Sequence, residues 1–298
     1  MKDFGKILLY LLAAVVLGAL LAPALFHGGA WLADHGILPG LKTQPFRRFF
    51  NRSIQVSAIL LLWPLVKSLR VRTIADLGLQ PDRRGWQRWL AGLFAAVILM
   101  AVMCGIVHAF GGIRFFAPDA RRPGELPKVA FTAVCVGIVE EWLFRGAFLG
   151  LFQRSMGRWP ALMVTSALFS VVHFIKPITI TIPPAEVGWL SGFALIPAAF
   201  SQWTEPALIG ALFTTLFAVG WVLGWAAQRT RSLWMSIGLH TGWVLCMQGF
   251  GKFAGFKDGN LPWMGSDLRI GIAPLLTVLA TGALCRLWLL HVDRRDHK

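Results

Sequence analysis

Between Thr132 and Phe152 the stretch TAVCVGIVEEWLFRGAFLGLF is lipid-soluble except for two adjacent carboxylates and a guanidinium, Glu140, Glu141 and Arg145. A charge at the centre of a bilayer costs at least about 2.5–3.5 kcal/mol, so ionisable groups at that depth are few and usually do chemistry. Glu141 and Arg145 are four residues apart, share a helix face and can pair. Glu140 points about 100° away and lies outside that pair. The stretch thus reads as one working carboxylate, a general base held away from bulk water, beside a structural ion pair. The alternative is that all three groups only join helices.

Two histidines sit in other apolar runs. His173 ends LFSVVHF, with Phe169 one turn earlier on the same face, and His240 lies in SLWMSIGLHTGWVLCMQ. Glu140 is 14 residues before Arg154 and His173 is 15 residues after Arg158. At 1.5 Å per residue both lie about 21–22 Å from one membrane face, so a carboxylate and an imidazole on neighbouring helices can share a water. His240 is nine residues past Arg231, about 13–14 Å in, and therefore shallower. Its candidate roles are donor to an oxyanion, metal ligand, or hydrogen-bond partner of another helix.

The elements that must carry these groups are membrane helices. Of the 298 residues 56% are hydrophobic and 14% charged, against about 25% charged in a soluble domain. Apolar runs near 7–26, 53–70, 87–110, 129–152, 159–176, 207–227, 232–250 and 269–290 approach or exceed the ~18–20 residues that cross a bilayer. The fold class expected is all-α: a multi-pass transmembrane bundle of about eight helices around an intramembrane polar cavity, forming one domain over 1–298. Residues 177–206, broken by Pro177, Pro183, Pro184 and Pro197, are expected to lie at the interface or partly re-enter.

The net charge of +15 is spread over loops between apolar runs and forms no basic face with interleaved aromatics, which argues against nucleic acid as a partner. Membrane lipids are the partner such loops imply. The loop charges favour a cell-membrane protein with both termini cytoplasmic. Cys104, Cys135, Cys246 and Cys285 each stand alone in an apolar run and read as small core hydrophobes.

At these residues the chain resembles the CPBP family of intramembrane proteases, which includes the CAAX prenyl endopeptidases and the bacteriocin-processing and self-immunity proteins. That family is marked by EExxxR, FxxxH, and a His followed four residues later by Asn or Asp. The first is matched by Glu140 to Arg145, the second by Phe169 to His173, and the third begins at His240. The resemblance covers about 70–250.

It implies an intramembrane endopeptidase acting on a membrane-associated protein or peptide. Glu140 would activate water, His173 would orient it, and His240 would polarise the scissile carbonyl. Glu141, Arg145 and Phe169 would support them. No metal is favoured, partly because His240 counts as shallower; a zinc ion, if bound, would take Glu140, His173 and His240.

The chain departs from the family at Val244, where Asn or Asp would help hold an oxyanion. Val244 supports a second expectation, a catalytically weak or inactive scaffold of the same fold that binds a peptide or partner. A third, a proton-coupled carrier, would often show an internal repeat, and none is found.

Overall fold

The computed structural model describes residues 2–77, 79–117, 119, 123–175, 182–199, 206–257 and 261–296. Ten α-helices are seen among them: α1 (Lys2–Asp34), α2 (Phe46–Ser68), α3 (Gly85–Ala109), α4 (Leu126–Glu141), α5 (Leu149–Met156), α6 (Arg158–His173), α7 (Ser191–Ala198), α8 (Pro206–Thr230), α9 (Trp234–Phe253) and α10 (Ile272–Asp296). The only strands among the described residues, β1 (Ile113–Phe115) and β2 (Ala254–Phe256), pair antiparallel with Ile113 opposite Phe256. The protein is all-α and membrane-integral, as the apolar runs require.

Each of the eight expected spans coincides with a helix. Among the described residues, α1, α2, α3, α8 and α10 contain stretches long and apolar enough to cross a membrane; the count of eight spans is not reached by this measure. The three runs that fall short are 129–152, carried by α4 and α5, then α6, and α9. These are the runs that carry the three motifs. At 16 residues α6 is short, polar residues that include His240 lower the hydropathy of α9, and a change of helical form interrupts the first run.

The chain divides into two compact units. One comprises Met1–Arg72 and Val171–Pro206. In it Ser53 Oγ and Tyr10 Oη on either side of the α1–α2 contact donate to the carbonyls of Gly18 and Ala58, both at 2.6 Å. Gly192 of α7 lies so close to α1 that an added Cβ would stand 2.0 Å from the Ala19 carbonyl oxygen. The expectation for 177–206 falls partly outside the described residues, at 177–181 and 200–205. The described remainder is a 3₁₀ turn, Pro184–Glu186, and α7.

The other unit comprises Thr73–Ser170 and Ala207–Lys298. Its spine is α3 against α9. A Cβ on Gly238 would stand 2.1 Å from Trp89 O, and one on Gly92 2.5 Å from Met235 O. Small residues let membrane helices approach this closely, so dispersion and weak hydrogen bonds replace a hydrophobic driving force that lipid does not supply. Gly238→Ala is therefore expected to force α3 and α9 apart and to cost about 1–3 kcal/mol. Thermal unfolding in detergent checks this; an unchanged midpoint would refute the close contact.

Three buried hydroxyls of α6 are satisfied within their own helix. Thr165 Oγ1, Ser166 Oγ and Ser170 Oγ donate to carbonyls four residues back, at 2.7, 2.7 and 3.1 Å, the usual solution for hydroxyls on apolar helices. They need no chemical role. Only Gly157, at φ +80, separates α5 from α6, a backbone shape that glycine adopts without strain.

Candidate active site

Glu140 and Glu141 end α4, and the chain then passes into a π-helical segment, Trp142–Phe148, before α5. Such segments are rare and concentrate at functional sites, because the wider turn changes where side chains point. Nothing in the apolar periodicity announced it.

Glu141 and Arg145 pair as the i,i+4 spacing predicts, with Arg145 Nη1 2.7 Å from Glu141 Oε1 and both side chains fully buried. Arg145 Nη2 also donates to Gly220 O of α8 at 3.3 Å. The guanidinium lies over the Phe169 ring, 4.5 Å from its centroid, a cation–π contact strengthened by the absence of water. Phe169 in turn meets Phe144 edge-on at 5.1 Å and His240 edge-on at 6.0 Å. The aromatic of the second motif is thus the wall against which the first and third motifs are packed.

His240 is where the structure departs most from the residue count. Its Nδ1 lies 2.8 Å from Glu141 Oε1, and its Nε2 lies 3.8 Å from Glu140 Oε2. His240 is not shallower than Glu140; it touches one carboxylate and faces the other.

The count assumes an unbroken α-helix of 1.5 Å per residue between Glu140 and Arg154, and the π-helical segment Trp142–Phe148 breaks it.

The hydrogen bond to Glu141 fixes the imidazole. A carboxylate that already faces an arginine is an acceptor, which assigns the Nδ1 proton to His240 as donor. Nε2 is left facing Glu140. The 3.8 Å gap exceeds a direct hydrogen bond and suits a third atom bonded to both groups. Glu140 differs from Glu141 in exposure, 21% against 0% for the side chains.

The neighbours of His240 on α9 explain its aim. Gly238 and Gly242 face α3, and Thr241 faces α4, where a Cβ on Gly137 would stand 2.6 Å from Thr241 Oγ1. Thr241 Oγ1 is buried and makes no hydrogen bond among the described residues. Val244, one turn on, is buried at 8% exposure. His173 is the last residue of α6, one turn after Phe169; it falls in the first unit, and none of the distances above involves it.

The depth argument against a shared metal fails along with the depth mismatch. Among the described residues, however, no group of three or more His, Cys, Asp and Glu is placed to hold a metal ion.

The sequence identified Glu141 with Arg145 by spacing. It did not reveal that Glu141 also binds His240, a contact across 99 positions. Comparison with curated proteins and with solved structures returns no match. Residues 122–246, the segment holding all six expected site residues, match the family model described as Rce1-like, type II CAAX prenyl endopeptidase Rce1-like, and the resemblance to the CPBP intramembrane proteases holds on that segment.

Proposed function

We propose that this protein is an intramembrane endopeptidase that hydrolyses a peptide bond of a membrane-anchored protein or peptide with a water activated by Glu140. The observation that carries this is the 3.8 Å approach of Glu140 Oε2 to His240 Nε2 beside the buried Glu141–Arg145 pair, within a segment that matches a protease family.

Glu140 takes a proton from water as the oxygen attacks the scissile carbonyl carbon, and returns that proton to the leaving amine nitrogen. With Nδ1–H committed to Glu141, Nε2 of the neutral His240 ring accepts a hydrogen bond from the attacking water and holds it beside Glu140. The motif gives His173 the task of orienting the water. Glu141 and Arg145 act through His240 as positioning residues. No step is routed through a metal.

Val244 cannot donate to an oxyanion. Thr241, with a buried hydroxyl beside His240, is the nearest group of the right chemistry on α9. Val244→Asn is therefore expected to raise the cleavage rate, by up to about 10²–10³-fold, the worth of one oxyanion donor.

The test uses purified wild type and Val244→Asn in proteoliposomes with a panel of membrane-anchored peptides, prenylated C-terminal peptides included, and reads products by mass spectrometry. Products from wild type support the protease. Products from Val244→Asn alone support the second reading, a scaffold of this fold that lacks its oxyanion donor, which the buried apolar Val244 favours. Peptide binding without products from either protein overturns the hydrolytic reading.

A further inference from the structure

Three contacts set how α9 runs along α4 and the π-helical segment. A Cβ on Gly146 would stand 3.5 Å from Leu233 Cδ1, and one on Gly137 would stand 2.6 Å from Thr241 Oγ1. Between them, His240 Nδ1 lies 2.8 Å from Glu141 Oε1. Ser236 comes between Leu233 and His240, one turn before His240 on the same face of α9. It is therefore level with the Glu141–Arg145 pair. Ser236 is wholly buried, and its hydroxyl is close enough to act on the Glu141 carboxylate as a hydrogen-bond donor.

The two oxygens of that carboxylate are unequally served. Oε1 accepts from both Arg145 Nη1 and His240 Nδ1. Oε2 is buried and has no hydrogen-bond partner among the described residues, a costly condition for a carboxylate oxygen. The terminal torsion of a glutamate is soft, so a carboxylate held through one oxygen can turn. Turning moves Oε1 away from the His240 ring, and a donor on Oε2 prevents it.

Ser236 has a donor to spare. Its Oγ donates to Leu233 O at 3.0 Å, but that carbonyl already accepts the Ile237 N–H at 2.8 Å. The helix does not need the hydroxyl there. A hydroxyl proton rotates to suit its acceptor, and an ionised carboxylate is a stronger acceptor than a carbonyl that is already bonded.

We propose that Ser236 is a positioning residue of this site: its hydroxyl turns from Leu233 O to donate to Glu141 Oε2, and so fixes the plane of the carboxylate that orients His240. The effect on rate rests on the proposed hydrolysis; the effect on the His240 ring does not.

The test compares wild type with Ser236→Ala, Ser236→Thr and Thr281→Val. Thr281 supplies the control because it too is wholly buried and donates to a carbonyl of its own helix, Thr277 O at 2.7 Å on α10. Ring-15N histidine spectra of the full-length protein in detergent read the tautomer, with the His240 signal assigned from its loss in His240→Gln. Cleavage kinetics in proteoliposomes read kcat and KM. Wild type, Ser236→Thr and Thr281→Val are expected to show the Nδ1–H tautomer alone. Ser236→Ala is expected to show a mixture of the two tautomers. At unchanged KM its kcat should fall about 10-fold, the lower end for a hydrogen bond to a charged group.

An unchanged tautomer in Ser236→Ala overturns the proposal whatever the rate, and assigns Glu141 Oε2 to a buried water instead. The same change in Thr281→Val would reduce the effect to helix stability and overturn it as well. Absence of cleavage by wild type would remove the hydrolytic reading alone, and the His240 tautomer would still decide for or against Ser236. If Ser236→Thr does not fold, the Ser236→Ala spectrum decides by itself.

Discussion

Glu140→Gln is expected to reduce cleavage of a membrane-anchored peptide by about 10²–10⁴-fold, the usual contribution of a positioned general base, while the protein still folds. The amide has the shape of the carboxylate and keeps its hydrogen-bonding reach, but it cannot take a proton from water. Folding survives because Glu141, not Glu140, provides the 2.7 Å contact to Arg145, and because the Glu140 side chain is partly exposed while Glu141 is fully buried. The measurement is single-turnover cleavage in proteoliposomes, with the thermal midpoint as the folding control. Cleavage that persists in Glu140→Gln would remove the proposed base. An equal loss of stability and activity would mean that Glu140 holds helices together.

Arg145→Met is expected to act through the fold. It leaves the fully buried Glu141 carboxylate without its cation, and breaking a buried pair from one side costs about 3–5 kcal/mol. For a chain of this size that lowers the thermal midpoint by about 10 °C. The loss extends beyond the pair, because Arg145 also donates to Gly220 O of α8 and lies over Phe169.

The double variant Glu141→Gln, Arg145→Met should recover much of the stability, since no buried charge is then left unmatched. It should not recover activity. His240 loses the carboxylate that orients Nδ1. A double variant as unstable as Arg145→Met would show that the cost lies in packing against Phe169 and α8 and not in charge. Full activity in the double variant would remove Glu141 from the positioning of His240.

Several features of this protein could be seen in the sequence because they depend on nearest neighbours along the chain. The helices are there because apolar runs of membrane length must satisfy their own backbone hydrogen bonds, and each expected run is helical. The Glu141–Arg145 pair was legible because four residues on a helix are adjacent in space, and the π-helical segment after Glu141 did not disturb it. Glu140, His173 and His240 stood out because ionisable groups are rare among lipid-soluble residues.

What the tertiary structure alone decided concerns distances between helices. The approach of His240 to Glu140 and Glu141 depends on how α9 packs on α4, where Thr241 meets Gly137. Residue counting assumes one α-helical rise throughout, and the π-helical segment Trp142–Phe148 breaks it. The close α3–α9 contact arises from Gly92, Gly238 and Gly242 meeting backbone on the partner helix, and spacing within one helix does not say which partner that is. The double use of Glu141 by Arg145 and His240 joins positions far apart in the chain. Local pattern carries no information on such contacts, because they are made by how helices pack.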